Sequence, residues 1–160
     1  MSVGDGAFSW CTNLAGVTIG HSLTNLGDFT FADCSSLAGA YFEGNAPTAG
    51  PSAFAYDNTT VYYLPGATGW GLTFAGRPAV LWNPQIQSGT PTFGVRNNQF
   101  GFTITGTMNI PLAVEASTSL ASPGWTVLQT CTLTNGSIYF GDPAWRNYPA
   151  RFYRIRPPVM

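Results

Sequence analysis

The stretch VGDGAFSWCTNLAGVTI, residues 3–19, recurs 23 residues later as LGDFTFADCSSLAGAYF, residues 26–42. A unit of this length cannot bury its own apolar face, but copies stacked as coils of a solenoid, about 4.8 Å apart, form a continuous core. The identical pairs are Gly4 and Gly27, Asp5 and Asp28, Phe8 and Phe31, Cys11 and Cys34, Leu14 and Leu37, Ala15 and Ala38, and Gly16 and Gly39. The repeat therefore predicts columns of like side chains.

A third, degenerate copy follows at Gly50, Ala53 and Phe54. One residue is missing after it, so Tyr62, Tyr63 and Leu64 are expected in the places of Val17, Thr18 and Ile19. The expected apolar columns are Phe8 with Phe31 and Phe54, Leu14 with Leu37, and Ile19 with Phe42 and Leu64. Because side chains alternate along a strand, Thr18, Tyr41 and Tyr63 are predicted to face outward, beside Gly16, Gly39 and Val61.

The units VGDGAFSWCTNL and LGDFTFADCSSL resemble the leucine-rich repeats of bacterial surface antigens of the BspA type, which follow the pattern IG-x-x-AF-x-x-C-x-x-L. The chain departs from that pattern at Gly20 and Glu43, where proline is common, and at Asp57, which replaces a third cysteine. Residues 61–84 resemble the segment that closes such arrays. The resemblance implies a solenoid of about three coils and a role in adhesion or binding at cell surfaces.

A second domain is predicted after Trp82-Asn83-Pro84, where QIQSGTPT reads as a linker. The predicted domains are residues 1–85, the solenoid with its closing segment, and residues 86–160, a small antiparallel β-sandwich. Six strand-like runs support the sandwich: TFGVRN, QFGFTITG, IPLAVEAST, WTVLQTCTLT, SIYFG and RFYRIR. Asn135-Gly136 predicts a type I′ hairpin between the fourth and fifth runs. This half resembles a sandwich found at the C-terminus of large exported bacterial proteins and similar to fibronectin type III modules.

Composition narrows the classes of partner. Only 8% of the 160 residues are charged, and six arginines with no lysine stand against seven carboxylates, so a nucleic-acid interface is not expected. No apolar run reaches membrane-spanning length, and the opening residues MSVGDGAFSW have neither the basic start nor the apolar stretch expected of a leader peptide. Because it opens inside the repeat, we expect a longer array, with an export signal in a missing N-terminal region and an extracellular or cell-surface location. If the chain is complete, the uncapped first coil predicts self-association.

Candidates for catalysis are few. His21 is the only histidine, and we expect it in a solvated turn. Asp5 and Asp28 occupy one column and could form a glycosidase-like pair, but repeated aspartates usually cap backbone donors, so no enzyme is predicted and a small hydrolase is only a third alternative. Cys11 and Cys34 are expected as buried free thiols and Cys131 as a core residue. No cofactor is expected, and no metal site, since neither zinc spacing nor a calcium loop occurs.

Aromatic residues supply the candidate binding surface. Tyr41 and Tyr63 on the outward face, with Glu43 nearby and Trp70 in the closing segment, could bind a sugar through flat rings with polar edges. The simpler alternative is that the tyrosines stabilise neighbouring strands and Trp70 plugs the end of the solenoid. The sequence predicts a non-catalytic binding or adhesion module with a protein or polysaccharide ligand. A carbohydrate-binding module is the alternative.

Overall fold

The computed structural model describes residues 1–158, which divide into two compact units, Met1–Trp82 and a second beginning at Asn83. Residues 159 and 160 of the predicted second domain lie outside the described residues. Within the described part, the regular structure is β apart from one 3₁₀ turn, Trp145–Asn147. The prediction of a mainly β chain, a short solenoid followed by an antiparallel sandwich, is confirmed.

Two sheets build the first unit. The larger has the order β2 (Gly16–Ile19), β4 (Gly39–Phe42), β6 (Thr60–Tyr63), β8 (Arg77–Leu81) and β7 (Thr73–Phe74). The first four strands are parallel and β7 is antiparallel to β8. The smaller sheet is parallel and contains β1 (Ser2–Val3), β3 (Asn25–Leu26) and β5 (Thr48–Ala49). Each coil contributes one strand to each sheet, so the chain winds as a solenoid.

The phenylalanine column holds the coils in register. The rings of Phe8 and Phe31 stack at 5.2 Å and those of Phe31 and Phe54 at 5.4 Å, nearly parallel in both pairs. Phe31 and Phe54 are fully buried, together with Leu26 and Val61. The predicted column is confirmed, and it forms the centre of a core that runs through successive coils.

The register of the third coil differs from the prediction. Tyr62 lies beside Tyr41 and Tyr63 beside Phe42, so Tyr62 follows Tyr41 by 21 residues where the other coils are 23 apart. Because a one-residue slip exchanges the two faces of a strand, Val61 points into the core, where it is completely buried. The expectation that Leu64 continues the Ile19 column and that Val61 faces outward is wrong.

The second unit consists of two antiparallel sheets. One contains β10 (Gly94–Arg96), β11 (Gln99–Thr105) and β14 (Ser137–Asp142), with the short β9 (Gln85–Ile86) also on β11, and the other contains β13 (Thr126–Thr132), β12 (Pro111–Ser117) and β15 (Phe152–Arg156). Each of the six predicted runs contains a strand. Tyr153 packs its ring against Phe100, Phe102 and Phe140 of the first sheet. The aromatic side chains of the two sheets thus share one core.

The predicted hairpin at Asn135-Gly136 is wrong. β13 pairs with β12 and β14 pairs with β11, so this turn carries the chain from one sheet to the other. A two-residue hairpin occurs instead at Asn97 and Asn98, which both have positive φ and join the paired residues Arg96 and Gln99. The predicted linker QIQSGTPT begins two residues too early, because Gln85 and Ile86 form β9.

Candidate functional site

Tyr41 is buried rather than presented on an open face. It is 4% exposed, its ring stacks on Tyr62 at 4.8 Å, and the ring of Trp82 meets it edge-on at 6.4 Å. An added Cβ on Gly39 would lie 2.9 Å from the ring, so the glycine leaves room for the tyrosine. The Tyr41 hydroxyl is buried without a hydrogen-bond partner, and burial raises its pKa. The expectation that Tyr41 and Tyr63 stack on one exposed face is wrong, because the register places Tyr62 there.

Tyr63 and Trp70 lie on the opposite, core side of the larger sheet. Their rings stack at 5.2 Å and are parallel within 3°. Phe42 and Phe74 also contact the Trp70 ring, whose Nε1 donates a hydrogen bond to the Gly44 carbonyl at 3.1 Å. Trp70 is therefore a partly buried residue that packs against the core.

Glu43 lies just beyond β4 with an exposed side chain. The structure therefore separates the four predicted binding residues: Tyr41 is on one face of the sheet, Tyr63 and Trp70 are on the other, and Glu43 lies past its edge. A ligand role for these residues stays a prediction.

The repeated aspartates tie one coil to the next. Asp5 Oδ1 accepts a hydrogen bond from the Asp28 backbone N–H, and Asp28 Oδ1 accepts one from the Ser52 N–H, both at 2.8 Å. Each carboxylate thus satisfies a donor that the turn of the following coil leaves free. The predicted capping role is confirmed, whereas His21, exposed in the turn after β2, is not part of this ladder.

The column of Cys11 and Cys34 continues in the third coil with a buried carboxylate, that of Asp57. Cys11 and Cys34 are both free, but Cys11 is exposed, so the expectation of two buried thiols is wrong for the first coil. Cys34 Sγ donates to the Phe8 carbonyl at 3.1 Å, and burial raises the pKa of this thiol. Asp57 replaces cysteine in the third coil, is 7% exposed, and has no hydrogen-bond partner on either carboxylate oxygen. Burial raises its pKa although the charge of Arg77 opposes the shift.

A line of residues follows one turn of the solenoid, with exposed aromatic rings in the first and third coils and a partly exposed aspartate in the second. Trp10, Asp33 and Tyr56 occur once per coil at the same position, and all three have positive φ, between 58° and 66°. The Trp10 N–H donates to the Ala32 carbonyl and the Asp33 N–H to the Ala55 carbonyl, so the turns lie directly on one another. We call these three residues the turn column. Its signal in the sequence is the 23-residue spacing that separates Trp10 from Asp33 and Asp33 from Tyr56.

Two ion-pair clusters lie in the second unit. Glu115, 4% exposed, binds Arg154 at 2.7 Å and Arg156 at 2.6 Å across the paired strands β12 and β15. Burial alone would raise the pKa of Glu115, but the two arginines outweigh it and lower the pKa. Asp142 binds Arg151 at 2.6 Å and accepts from the Tyr153 hydroxyl at 3.0 Å. The carboxylates of Glu115 and Asp142 are thus both paired with arginines, so they connect strands and neither is free to act as a general acid or base.

Cys131 of β13 is free and partly buried, and burial raises its pKa. Among residues 1–158, no three His, Cys, Asp or Glu side chains gather in a group that could hold a metal ion. Nor does this part of the chain contain a helix with the length and apolar character needed to cross a bilayer.

Comparison with known families matches residues 1–68 to the model described as "BspA type Leucine rich repeat region (6 copies)". Residues 1–68 are thus similar to BspA-type leucine-rich repeats, a generally non-enzymatic type of repeat that is typical of bacterial surface proteins and suited to protein–protein interaction. Comparison with curated proteins and with solved structures finds no match. The resemblance of the second unit to fibronectin type III modules stays a prediction.

Proposed function

We propose that the protein is a non-catalytic binding and adhesion module of an extracellular or cell-surface protein. In this proposal residues 1–85 recognise the ligand and residues 86–160 serve as a spacer or attachment domain. The observation that carries it is the in-register stacking of BspA-type coils, which brings the same turn of each coil to one continuous surface. Stacked coils create extended binding surfaces because each coil adds an equivalent position.

The location of the binding surface differs from the one predicted from sequence. Burial of Tyr41 and Tyr62 removes the middle of the larger sheet as an open platform. The turns between the smaller and the larger sheet keep exposed side chains in all three coils, including Thr12, Ser35 and Asn58. We therefore assign recognition to the turns.

Adhesion assays on the full chain test the proposal. The biotinylated protein is applied to immobilised extracellular-matrix proteins and polysaccharides, and retention on at least one surface is expected. Arginines introduced into the solenoid turns by Ser36→Arg and Asn58→Arg should reduce affinity about tenfold or more. The matched control changes Ser122→Arg and Thr130→Arg, exposed positions of the second unit, and should bind normally. Absence of retention on every surface, or equal losses in both variants, contradicts the proposal.

Where no further coil precedes the first one, self-association through this coil is a second part of the proposal. β2 is the end strand of its sheet, and Phe8, at the end of the phenylalanine column, is 43% exposed. An unpaired strand edge beside exposed apolar side chains favours pairing with a second copy. Light scattering should show a concentration-dependent dimer that Val17→Lys weakens, and a monomeric mass at millimolar concentration would contradict it.

No observation favours the hydrolase alternative. The carboxylates of Asp5 and Asp28 are engaged by backbone N–H groups of the next coil. The carbohydrate alternative retains support, but from the turn column rather than from the residues predicted from sequence.

A further inference from the structure

The turn column combines exposure with an unfavourable backbone conformation. Trp10 is 71% exposed and Tyr56 79% exposed, and both have φ in the left-handed region, at 62° and 66°. Bulky side chains rarely adopt this region because Cβ crowds the backbone. Asparagine or glycine would adopt it at lower cost.

Ring packing does not offset the cost of the left-handed conformation at Trp10 and Tyr56. Among the described residues, neither the Trp10 nor the Tyr56 ring stacks on another aromatic ring or receives a cation. The exposed ring of Phe8 differs in this respect, since it stacks on Phe31, whereas Phe29, 46% exposed and also at positive φ, is a lone ring outside the column. The fold therefore gives no stability reason for a tryptophan and a tyrosine at these two positions, and strained exposed residues are typical of ligand contacts.

The spacing of the column is fixed by hydrogen bonds between coils. The bonds from Trp10 N to Ala32 O, at 2.9 Å, and from Asp33 N to Ala55 O, at 3.0 Å, hold the turns one strand spacing apart. Two spacings place the backbones of Trp10 and Tyr56 about 10 Å apart. Asp33 lies midway between them, and exposed Thr12, Ser35 and Asn58 flank the column.

We propose that Trp10, Asp33 and Tyr56 form a binding site for an extended β-1,4-linked polysaccharide. This inference rests on the proposed function and names the ligand class of the solenoid turns. The two rings stack on sugar faces separated by one disaccharide unit, and the Asp33 carboxylate accepts hydrogen bonds from hydroxyls of the intervening sugar. A linear glycan fits because it repeats along its length as the coils do.

The chemistry of the flanking residues favours a sugar. Aromatic faces with nearby hydroxyl and amide groups match the alternating apolar faces and polar rims of pyranose rings. Asp33 is the only charged member of the column, so the site offers one strong acceptor to a neutral ligand rich in hydroxyl donors.

Affinity electrophoresis of the full chain tests the site. Native gels contain hydroxyethyl cellulose, glycol chitin or, as an α-linked control, soluble starch. The wild type should be retarded in the two β-1,4-linked polymers and not in starch. Trp10→Asn with Tyr56→Asn should abolish the retardation, and Asp33→Ala should weaken it about tenfold or more.

Thermal melting checks that the variants used in this experiment remain folded. Because asparagine tolerates positive φ, the double variant should melt at or above the wild-type temperature. Leu72→Asn, at a site 91% exposed in the same unit, is the matched control and should be retarded like the wild type. Unchanged retardation of the double variant, or equal retardation of the wild type in starch, overturns the assignment.

The assays separate this inference from the proposed function. If the wild type is retarded in no glycan gel but adheres to an immobilised matrix protein, the glycan site is wrong and the binding module stands. If it binds neither, both proposals are wrong.

Discussion

Phe31 and Phe54 stack with their ring centroids 5.4 Å apart and 11° between the ring planes, both completely buried. The two residues come from successive coils, so their stacking shows that the second and third coils lie directly on one another. Phe8 continues the column but is 43% exposed. Stability of the first unit should therefore depend on position within the column.

Phe31→Ala should destabilise the first unit by about 3–5 kcal/mol, because it removes a ring that packs on both sides and leaves a cavity. Phe8→Ala should cost less, about 1–2 kcal/mol, since its ring already contacts solvent. Urea unfolding followed by near-ultraviolet circular dichroism measures both. Equal losses in the two variants would show that the rings are not stacked as described.

Close approach of coils makes a second prediction. A Cβ on Gly50 would lie 2.7 Å from Asp28 Cα, whereas a Cβ on Gly4 meets nothing within 4 Å among the described residues. Gly50→Ala should therefore cost about 1–3 kcal/mol through overpacking. Gly4→Ala is the matched control and should be neutral or slightly stabilising. Thermal melts compare the two, and a neutral Gly50→Ala would argue against tight stacking of the second and third coils.

Much of this architecture could be predicted from the sequence. The first two copies share identical residues at a fixed spacing, so stacking them fixes the phenylalanine column without further information. The third copy retains only Gly50, Ala53 and Phe54, which cannot show how many residues are missing before β6. The predicted register was wrong by one residue at this point. Because side chains alternate along a strand, the prediction placed Tyr63 on the outer face, where the structure has Tyr62.

Long-range pairing explains the other differences. Asn135-Gly136 favours a tight turn locally, but β13 and β14 each find their partner in a different sheet. Burial of Tyr41 depends on what packs over it, which its own strand does not encode. The turn column, by contrast, follows from the repeat spacing of Trp10, Asp33 and Tyr56, and was accessible from the sequence.

The buried carboxylate of Asp57 should make the first unit less stable as pH rises. Burial raises its folded pKa above the unfolded value near 3.8. The unfolded chain then loses its proton first, so the free energy of unfolding falls from about pH 4 up to the folded pKa and stays low above it. Asp57→Asn removes this component and should be more stable than the wild type at neutral pH.

Denaturation of both proteins from about pH 3 to 7 measures the Asp57 effect. The two stabilities should diverge with increasing pH. Glu43→Gln, which neutralises an exposed carboxylate near β4, is the control and should parallel the wild type. A constant difference across this range would show that Asp57 ionises without penalty.

Glu115 should give the second unit the opposite pH response. Arg154 and Arg156 lower its pKa below 4.5 against the effect of burial. The stabilisation contributed by Glu115 is therefore complete above the pKa of this carboxyl in the unfolded chain. It is lost as the pH falls through the lower pKa of the folded state. Glu115→Gln should cost about 3 kcal/mol at pH 7, because it leaves two arginines without their shared carboxylate.

Arg154→Gln is the matched comparison for Glu115→Gln. Its side chain is 44% exposed, and Arg156 still pairs with the carboxylate, so the loss should be smaller. Hydrogen exchange measured by mass spectrometry assigns each effect to its own unit. A greater loss from Arg154→Gln than from Glu115→Gln would reverse the assigned roles.

The most direct test of the account is detection of the hydrogen bonds between coils by NMR scalar couplings across them. Stacked coils predict couplings from the Phe8 nitrogen to the Thr30 carbonyl carbon and from the Phe31 nitrogen to the Ala53 carbonyl carbon, where the nitrogen–oxygen distance is 2.8 Å in both cases. Couplings of both nitrogens to carbonyls within their own coil would contradict the stacking, and with it the turn column and the proposed binding surface.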